Sequence, residues 1–177
     1  MIKLLTSKTV YQNPWMSVRE DEVEFQNGHK GTYGVVDKSD FALIIPFDGN
    51  NFFLVKQYRY PTQQKSTEFP QGKHENDTSI SPLDLARAEL KEETGLEAGK
   101  MEELGFLYEA PGYSSQGFHI FLASQLSQGA QCLDVTEDDL EILKVSISEF
   151  EKMVRSGQIT DASTISAYGL LRALRVI

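Results

Sequence analysis

Three glutamates in one short run, Glu89, Glu92 and Glu93, could bind a metal ion if the run is helical. At about 100° per residue, Glu89 and Glu93 lie one helical turn apart and Glu92 flanks them. Carboxylates held this close repel one another, and a hard divalent cation such as Mg²⁺, or Mn²⁺, would relieve the repulsion. The spacing therefore predicts a metal site, with a solvated acidic helix surface as the alternative.

The flanking residues predict the helix that would present these glutamates. Ser81 and Pro82 are typical of a helix N-cap and first position, and Gly95 is typical of the residue that ends a helix. We therefore expect a helix over residues 82–94. Upstream, residues 68–72 end an extended segment in a turn, where the backbone carbonyl of Gln71 could bind the same cation. The apolar stripe expected to pack this helix comprises Leu83, Ala86 and Leu90.

The remaining patterns predict strands, tight turns and two closing helices. Asn27-Gly28 is a strong hairpin signal, and the apolar runs at residues 41–47 and 52–57 flank a second hairpin signature. Further strands are expected at residues 104–108, 118–123 and 140–145, and apolar residues at helical spacing predict a helix on each side of Gly157. This order of elements indicates an α+β sandwich.

Composition and charge exclude several classes of protein. The 177 residues are 40% hydrophobic and have no linker-like segment, which predicts a single domain over residues 1–177. A net charge of −9 without a cluster of basic residues argues against a nucleic-acid partner. No apolar run is long enough to cross a membrane and the N-terminus lacks a signal-peptide pattern, so we expect no membrane partner and a cytoplasmic location. The single cysteine, Cys132, cannot form an internal disulfide.

The segment from Glu89 to Leu96 resembles the signature helix of the Nudix hydrolases. Four other segments resemble the ADP-ribose and nucleotide-sugar pyrophosphatase branch of that family in the same order, at residues 57–61, 68–72, 110–113 and 157–164. The chain departs from the family pattern at Ala88, which stands where the signature has an arginine. The loop after Gly72 is two residues longer than in the family, and Ile80 stands at the place of the family's loop glutamate, for which Glu75 or Asp77 could substitute.

The resemblance implies a fold, a reaction and an assembly. The fold would be a Nudix-type α/β/α sandwich with a mixed sheet and N-terminal β-hairpin strands. The reaction would be Mg²⁺-dependent hydrolysis, with Mn²⁺ possible, of the pyrophosphate in a nucleoside diphosphate sugar such as ADP-ribose or GDP-mannose. A homodimer would form through the strands in residues 1–40. The alternative is a weak or inactive Nudix-fold module that binds a nucleotide without turnover.

Individual residues receive expected roles, each weighed against a structural one. The metal ligands would be the Gln71 carbonyl, Glu89, Glu92 and Glu93, with Glu92 alternatively orienting water. The general base would be Glu137 or Glu141, against a solvated acidic turn, and its pKa could be raised. Arg59 would bind a phosphate, against a surface ion pair, and Glu68 would also contact substrate. Trp15 would be a core anchor or a platform for a nucleobase.

Overall fold

The computed structural model of the chain describes residues 1–73, 80–129 and 139–177. Residues 1–40 and 107–118 form one compact unit, and residues 41–106 and 119–177 form a second. The described elements, in chain order, are β1 (Lys3–Gln12), β2 (Ser17–Glu24), β3 (Lys30–Asp37), β4 (Phe41–Pro46), β5 (Asn51–Arg59), β6 (Gln64–Glu68), β7 (Gln71–Gly72), α1 (Pro82–Thr94), β8 (Leu96–Tyr108), β9 (Gly117–Gln128), β10 (Glu141–Ser146), α2 (Ile147–Arg155) and α3 (Ala162–Ala173).

The first unit is built on an antiparallel sheet in the order β1-β2-β3. The predicted hairpin at Asn27-Gly28 is confirmed, since it joins β2 to β3 with Glu24 opposite Lys30 and with Gly28 at a φ of +78°. Such a φ strains residues that carry a Cβ, so glycine suits the turn. Strand β1 was not predicted, because its side chains are nearly all exposed and its sequence has no apolar alternation.

The second unit contains a four-stranded sheet, β7-β4-β9-β8, and a three-stranded sheet, β10-β5-β6. The predicted hairpin between the two apolar runs is wrong in one respect, because β4 and β5 belong to different sheets. An antiparallel bridge joins Phe47, just after β4, to Phe52. Strand β5 has β6 on one edge and β10 on the other, so neither edge is left for β4. The turn is nevertheless tight, since the Asp48 carboxylate accepts the N–H groups of Asn50 and Asn51.

Helix α1 begins and ends where the sequence predicted. The Ser81 hydroxyl accepts the N–H of Asp84 at 3.1 Å, and Gly95, at a φ of +67°, ends the helix by donating its N–H to Lys91. The apolar stripe differs in one member, because Leu83 is 39% exposed and Leu85 is buried instead. Leu85, Ala86 and Leu90 of α1 pack in one hydrophobic cluster with residues of the sheet, namely Ala42, Ile44, Leu96, Phe121 and Ala123.

The two closing helices are confirmed as α2 and α3 and pack against β5 through aromatic rings. The ring of Phe52 meets Phe150 of α2 edge to face at 5.3 Å and Tyr168 of α3 at 6.0 Å. Phe69 stacks on Phe150 at 5.4 Å. These contacts bury Phe52, Phe69 and Phe150 completely and join both helices to the three-stranded sheet.

The predicted α+β class is confirmed by this mixture of helices and sheets, including the N-terminal three-stranded sheet. Among the residues placed in the structure, no helix combines the length and apolar character needed to span a bilayer. The single domain over residues 1–177 and the cytoplasmic location stay predictions.

Candidate active site

Strand β5 presents two different faces, because side chains alternate along a strand. Register with β6 places Val55 opposite Glu68 and Gln57 opposite Ser66, so these four side chains share a face with Arg59. Phe53, on the same face, packs against the core around α1. The candidate site lies at the Arg59 end of this face.

The Arg59 guanidinium forms a two-pronged ion pair with Glu68. Its Nε donates to Glu68 Oε1 at 3.0 Å and its Nη2 donates to Oε2 at 2.5 Å. The Glu68 side chain is 3% exposed, whereas that of Arg59 is 37% exposed. Of the two interpretations of Arg59, the structure thus shows an ion pair, but one whose carboxylate is buried and fixes the direction of the guanidinium.

The ion pair determines the charge states of both groups. Burial lowers the pKa of Arg59, but the hydrogen bond and charge of Glu68, with the charges of Glu93 and Asp161, outweigh it, so the pKa lies above its usual value. Burial raises the pKa of Glu68, but Arg59 outweighs it and leaves that pKa below its usual value. Both groups are therefore charged at neutral pH.

Gln71 lies at the centre of a hydrogen-bond network on the turn after β6. Its side-chain Nε2 donates to Glu68 Oε2 at 2.8 Å and lies 3.5 Å from Asp161 Oδ2. The Ser163 hydroxyl lies 3.1 Å from Gln71 Oε1 and can donate to it. The network joins the Arg59–Glu68 pair to the N-terminus of α3.

The structure brings two of the predicted ligands on α1 to the same turn. The backbone N–H of Gln71 donates to Glu93 Oε2 at 3.1 Å, and Glu93 is 1% exposed. Glu89 lies directly against Gly72, since a Cβ at that position would overlap both of its carboxylate oxygens. A side chain at position 72 would therefore displace the Glu89 carboxylate, and the hydrogen bond from Gln71 to Glu93 joins the turn to the helix.

Two neighbours on α1 complete the description of the helix. Glu92, predicted as ligand or water-orienting group, is half-buried. Arg87 donates from its Nη1 to the carbonyl of Ala98 at 3.3 Å. On the turn side of the helix, the Gln71 peptide supplies a hydrogen-bond donor to Glu93.

The remaining predicted site residues are Glu141, Glu137 and Trp15. Glu141 is on β10 and pairs with Lys65 at 2.7 Å, and the hydrogen bond from Lys65 lowers its pKa, the opposite of the raised value considered above. Glu137, Glu75 and Asp77 lie outside the described residues. Trp15 lies in the first unit and is 53% exposed, so the core alternative is wrong and the role as a nucleobase platform stays a prediction.

The donor chemistry around Gln71 fits a hard divalent cation. Carboxylate oxygens of Glu89 and Glu93 converge on a turn that also offers a backbone carbonyl, and oxygen donors are those that Mg²⁺ and Mn²⁺ prefer. Within residues 1–73, 80–129 and 139–177, no group of three or more His, Cys, Asp or Glu side chains is gathered in a metal-binding arrangement. The fit therefore rests on two carboxylates and the turn.

Three residues at the start of α3 were missed by sequence reasoning: Asp161 and Ser163, which lie in this network, and Thr164, whose hydroxyl accepts the N–H of Phe69. Asp161, Ser163 and Thr164 begin α3 and were identified only as part of a segment resembling other proteins. Their sequence signal was an N-cap pattern, which predicts a helix start and no contact with a turn some ninety residues earlier.

Comparison with known proteins identifies two matching families along the chain. A model described as the nucleoside diphosphate sugar hydrolase N-terminal domain matches residues 2–36, and the NUDIX domain model matches residues 38–164. These matches cover the first sheet and nearly all of the second unit.

Individual relatives agree with the family matches. An ADP-ribose pyrophosphatase of Bacillus subtilis (strain 168) is 28% identical over 96% of this chain and 92% of its own length. A GDP-mannose pyrophosphatase of Escherichia coli O1:K1 / APEC is 31% identical over 74% of this chain and 72% of its own. The crystal structure of an ADP compounds hydrolase superposes with a TM-score of 0.85 at 24% identity, covering 98% of this chain and 93% of that one, which confirms the fold.

Proposed function

Because the chain belongs to the Nudix hydrolase family and carries a nucleoside diphosphate sugar hydrolase N-terminal domain, we propose that it hydrolyses the pyrophosphate of ADP-ribose or GDP-mannose. The products would be a nucleoside monophosphate and a sugar phosphate. The observation that carries this proposal is that Glu93 and Glu89 contact Gln71 and Gly72 of one turn. The Gln71 side chain of that turn also binds Glu68, the partner of Arg59. The relatives named above support both substrates.

The residues divide into a metal-binding and a phosphate-binding group. Family members typically depend on a divalent metal, and here Glu89, Glu92, Glu93 and the Gln71 carbonyl would hold Mg²⁺ or Mn²⁺. When bound, the ion would supply positive charge to the phosphates and acidity to a water molecule. Arg59 carries five N–H groups, of which Glu68 takes two, so the oriented guanidinium is suited to hydrogen-bond a phosphate. The base remains assigned to Glu137 or Glu141, and Trp15 to the nucleobase.

Substituting Glu93 tests the proposed activity. Glu93→Gln keeps an oxygen acceptor for the Gln71 N–H but removes the charge, so we expect kcat to fall by more than about a hundredfold. Phosphatase-sensitive phosphate released from ADP-ribose and GDP-mannose measures turnover, because only the products are phosphomonoesters. The matched control is Glu97→Gln, since Glu97 lies just beyond the same helix and pairs with Lys91 on the surface.

The outcome separates the enzyme from the alternative binding module. Turnover by the native protein that Glu93→Gln removes and Glu97→Gln retains would support the hydrolase and rank its substrates. Metal-dependent nucleotide binding by folded native protein without any turnover would favour the binding module, with Ala88 as the first residue to examine.

We also propose that the protein is a homodimer formed through its N-terminal strands. Apolar side chains are exposed along this sheet in one unit, including Leu4 at 55%, Val10 at 48% and Tyr11 at 52%. Exposed apolar surface of this kind is typical of an interface. We expect sedimentation equilibrium to give twice the 19.9 kDa chain mass for the native protein and a monomer for the variant Leu4→Glu/Val10→Glu. A native monomer would contradict the assembly.

A further inference from the structure

The N-terminus of α3 contacts the backbone of the turn that carries Gln71. Thr164 is completely buried, and its hydroxyl oxygen accepts the N–H of Phe69 at 2.9 Å. Ser163 is 4% exposed, and its hydroxyl lies 2.9 Å from Asp161 Oδ2 and 3.1 Å from Gln71 Oε1. Asp161 caps the helix by accepting the N–H of Thr164 at 2.7 Å. The helix start is therefore fixed by its own cap and faces the turn with two hydroxyl groups.

Ser163 and Glu68 together fix the orientation of the Gln71 side-chain amide. The amide nitrogen donates to Glu68, and the amide oxygen faces the Ser163 hydroxyl. A flipped amide would place its oxygen against the Glu68 carboxylate, where two acceptors would repel each other. The contacts therefore allow one orientation of Gln71.

The turn itself is held from three directions. Thr164 accepts the N–H of Phe69, Ile44 donates its N–H to the carbonyl of Pro70 at 2.9 Å, and Glu93 accepts the N–H of Gln71. Each buried peptide group left without its partner is costly, so loss of one support displaces the turn. Because the Gln71 N–H holds one oxygen of Glu93, a displaced turn moves or releases that carboxylate.

We propose that Ser163 and Thr164 are positioning residues, which place the turn so that the Gln71 backbone and the Glu93 carboxylate face one cation. The inference rests on the proposed function, in which Gln71 and Glu93 bind the metal. The proposal gives a role to Ser163 and Thr164 at the start of α3, which were assigned neither to the metal nor to the substrate.

The test compares variants that keep or remove each hydroxyl group. Thr164→Val removes the acceptor for Phe69, Thr164→Ser keeps it, and Ser163→Ala removes the hydroxyl group that lies between Asp161 and Gln71. Ile159→Val is the packing control, since Ile159 is 1% exposed, precedes α3 and loses one methyl group. Mn²⁺ binding by electron paramagnetic resonance is measured beside kcat and KM, and thermal unfolding verifies that each variant is folded.

We expect Thr164→Val to weaken Mn²⁺ binding and to lower kcat by about 10- to 100-fold each, with KM close to native. Thr164→Ser should restore both quantities, and Ser163→Ala should lower them by about tenfold. Ile159→Val should lower the melting temperature without changing Mn²⁺ binding. Should Thr164→Val not fold, the Ser163→Ala variant decides by itself.

Failure of the inference and failure of the proposed function give different results. Mn²⁺ binding that Glu93→Gln abolishes but Thr164→Val and Ser163→Ala leave at the level of Ile159→Val would overturn the positioning role alone. A native protein that binds no Mn²⁺ would overturn the metal site and the positioning role together. Native Mn²⁺ binding that depends on Thr164, without hydrolysis of either substrate, would support the positioning role and overturn the proposed reaction.

Discussion

The two faces of the β10-β5-β6 sheet carry ion pairs of similar chemistry in different environments. On one face, Arg59 binds a Glu68 that is 3% exposed. On the other, Lys65 binds Glu141, whose side chain is 54% exposed, and the Lys65 ammonium also lies 3.8 Å from the Asp139 carboxylate. Register explains the separation. Glu68 is paired with Val55, which shares a face of β5 with Arg59, whereas Lys65 and Glu141 are paired with Tyr58 and Lys56 on the other face.

The difference shows which of the two ion pairs can hold neighbouring site residues in place. A buried charge must keep its partner, so Glu68 fixes Arg59 and, through Gln71, the turn near Glu93. In a surface pair, water can replace either partner at little cost in free energy. The Lys65–Glu141 pair therefore does not fix the position of the groups around it. The lowered pKa of Glu141 also makes this carboxylate a weaker proton acceptor than an unpaired one would be.

The largest expected effect on this comparison comes from Arg59→Met. The substitution leaves the Glu68 charge buried without its cation, and we expect the free energy of unfolding to fall by about 2–3 kcal/mol, at the low end for a buried pair because Arg59 is partly exposed. Urea denaturation measures the loss. The matched control, Lys65→Met, should leave the free energy of unfolding unchanged within experimental error. Equal losses in the two variants would contradict the contrast between the faces.

A smaller effect is expected on the pKa of Glu141. The hydrogen bond and charge of Lys65, followed by the charge of Lys56, hold this pKa below its usual 4.5. In Lys65→Met the pKa should rise toward that value, and added salt should raise it in the native protein. Carboxyl carbon chemical shifts followed by NMR between pH 7 and 2 measure it.

The sign of the pH dependence follows from the direction of that shift. A pKa lower in the folded state than in the unfolded chain gives a contribution to stability that is present above 4.5 and is lost as the pH falls through the folded value. Because Glu141 is exposed, this contribution should be too small to alter the melting temperature. A Glu141 pKa identical in the native protein and in Lys65→Met would show that the ion pair does not form in solution.

Local patterns were sufficient to predict the elements around the site. The N-cap at Ser81 and the stop at Gly95 act within one helical turn, so the bounds of α1 follow from a few neighbouring residues. The turn at Gly28 and the two closing helices were predicted for the same reason. The error about β4 was nonlocal, since the sheet to which β4 belongs depends on which strands occupy the edges of β5.

The sequence by itself determined which groups could do chemistry, namely the glutamates of α1 and the turn that ends at Gly72. Only the tertiary structure decided which groups hold them in place. Hydrogen bonds from Ser163 and to Thr164 join residues that are more than ninety positions apart, and no local propensity specifies such a contact. Likewise, only burial distinguishes Arg59 from Lys65, because the strength of an ion pair depends on the water that surrounds it.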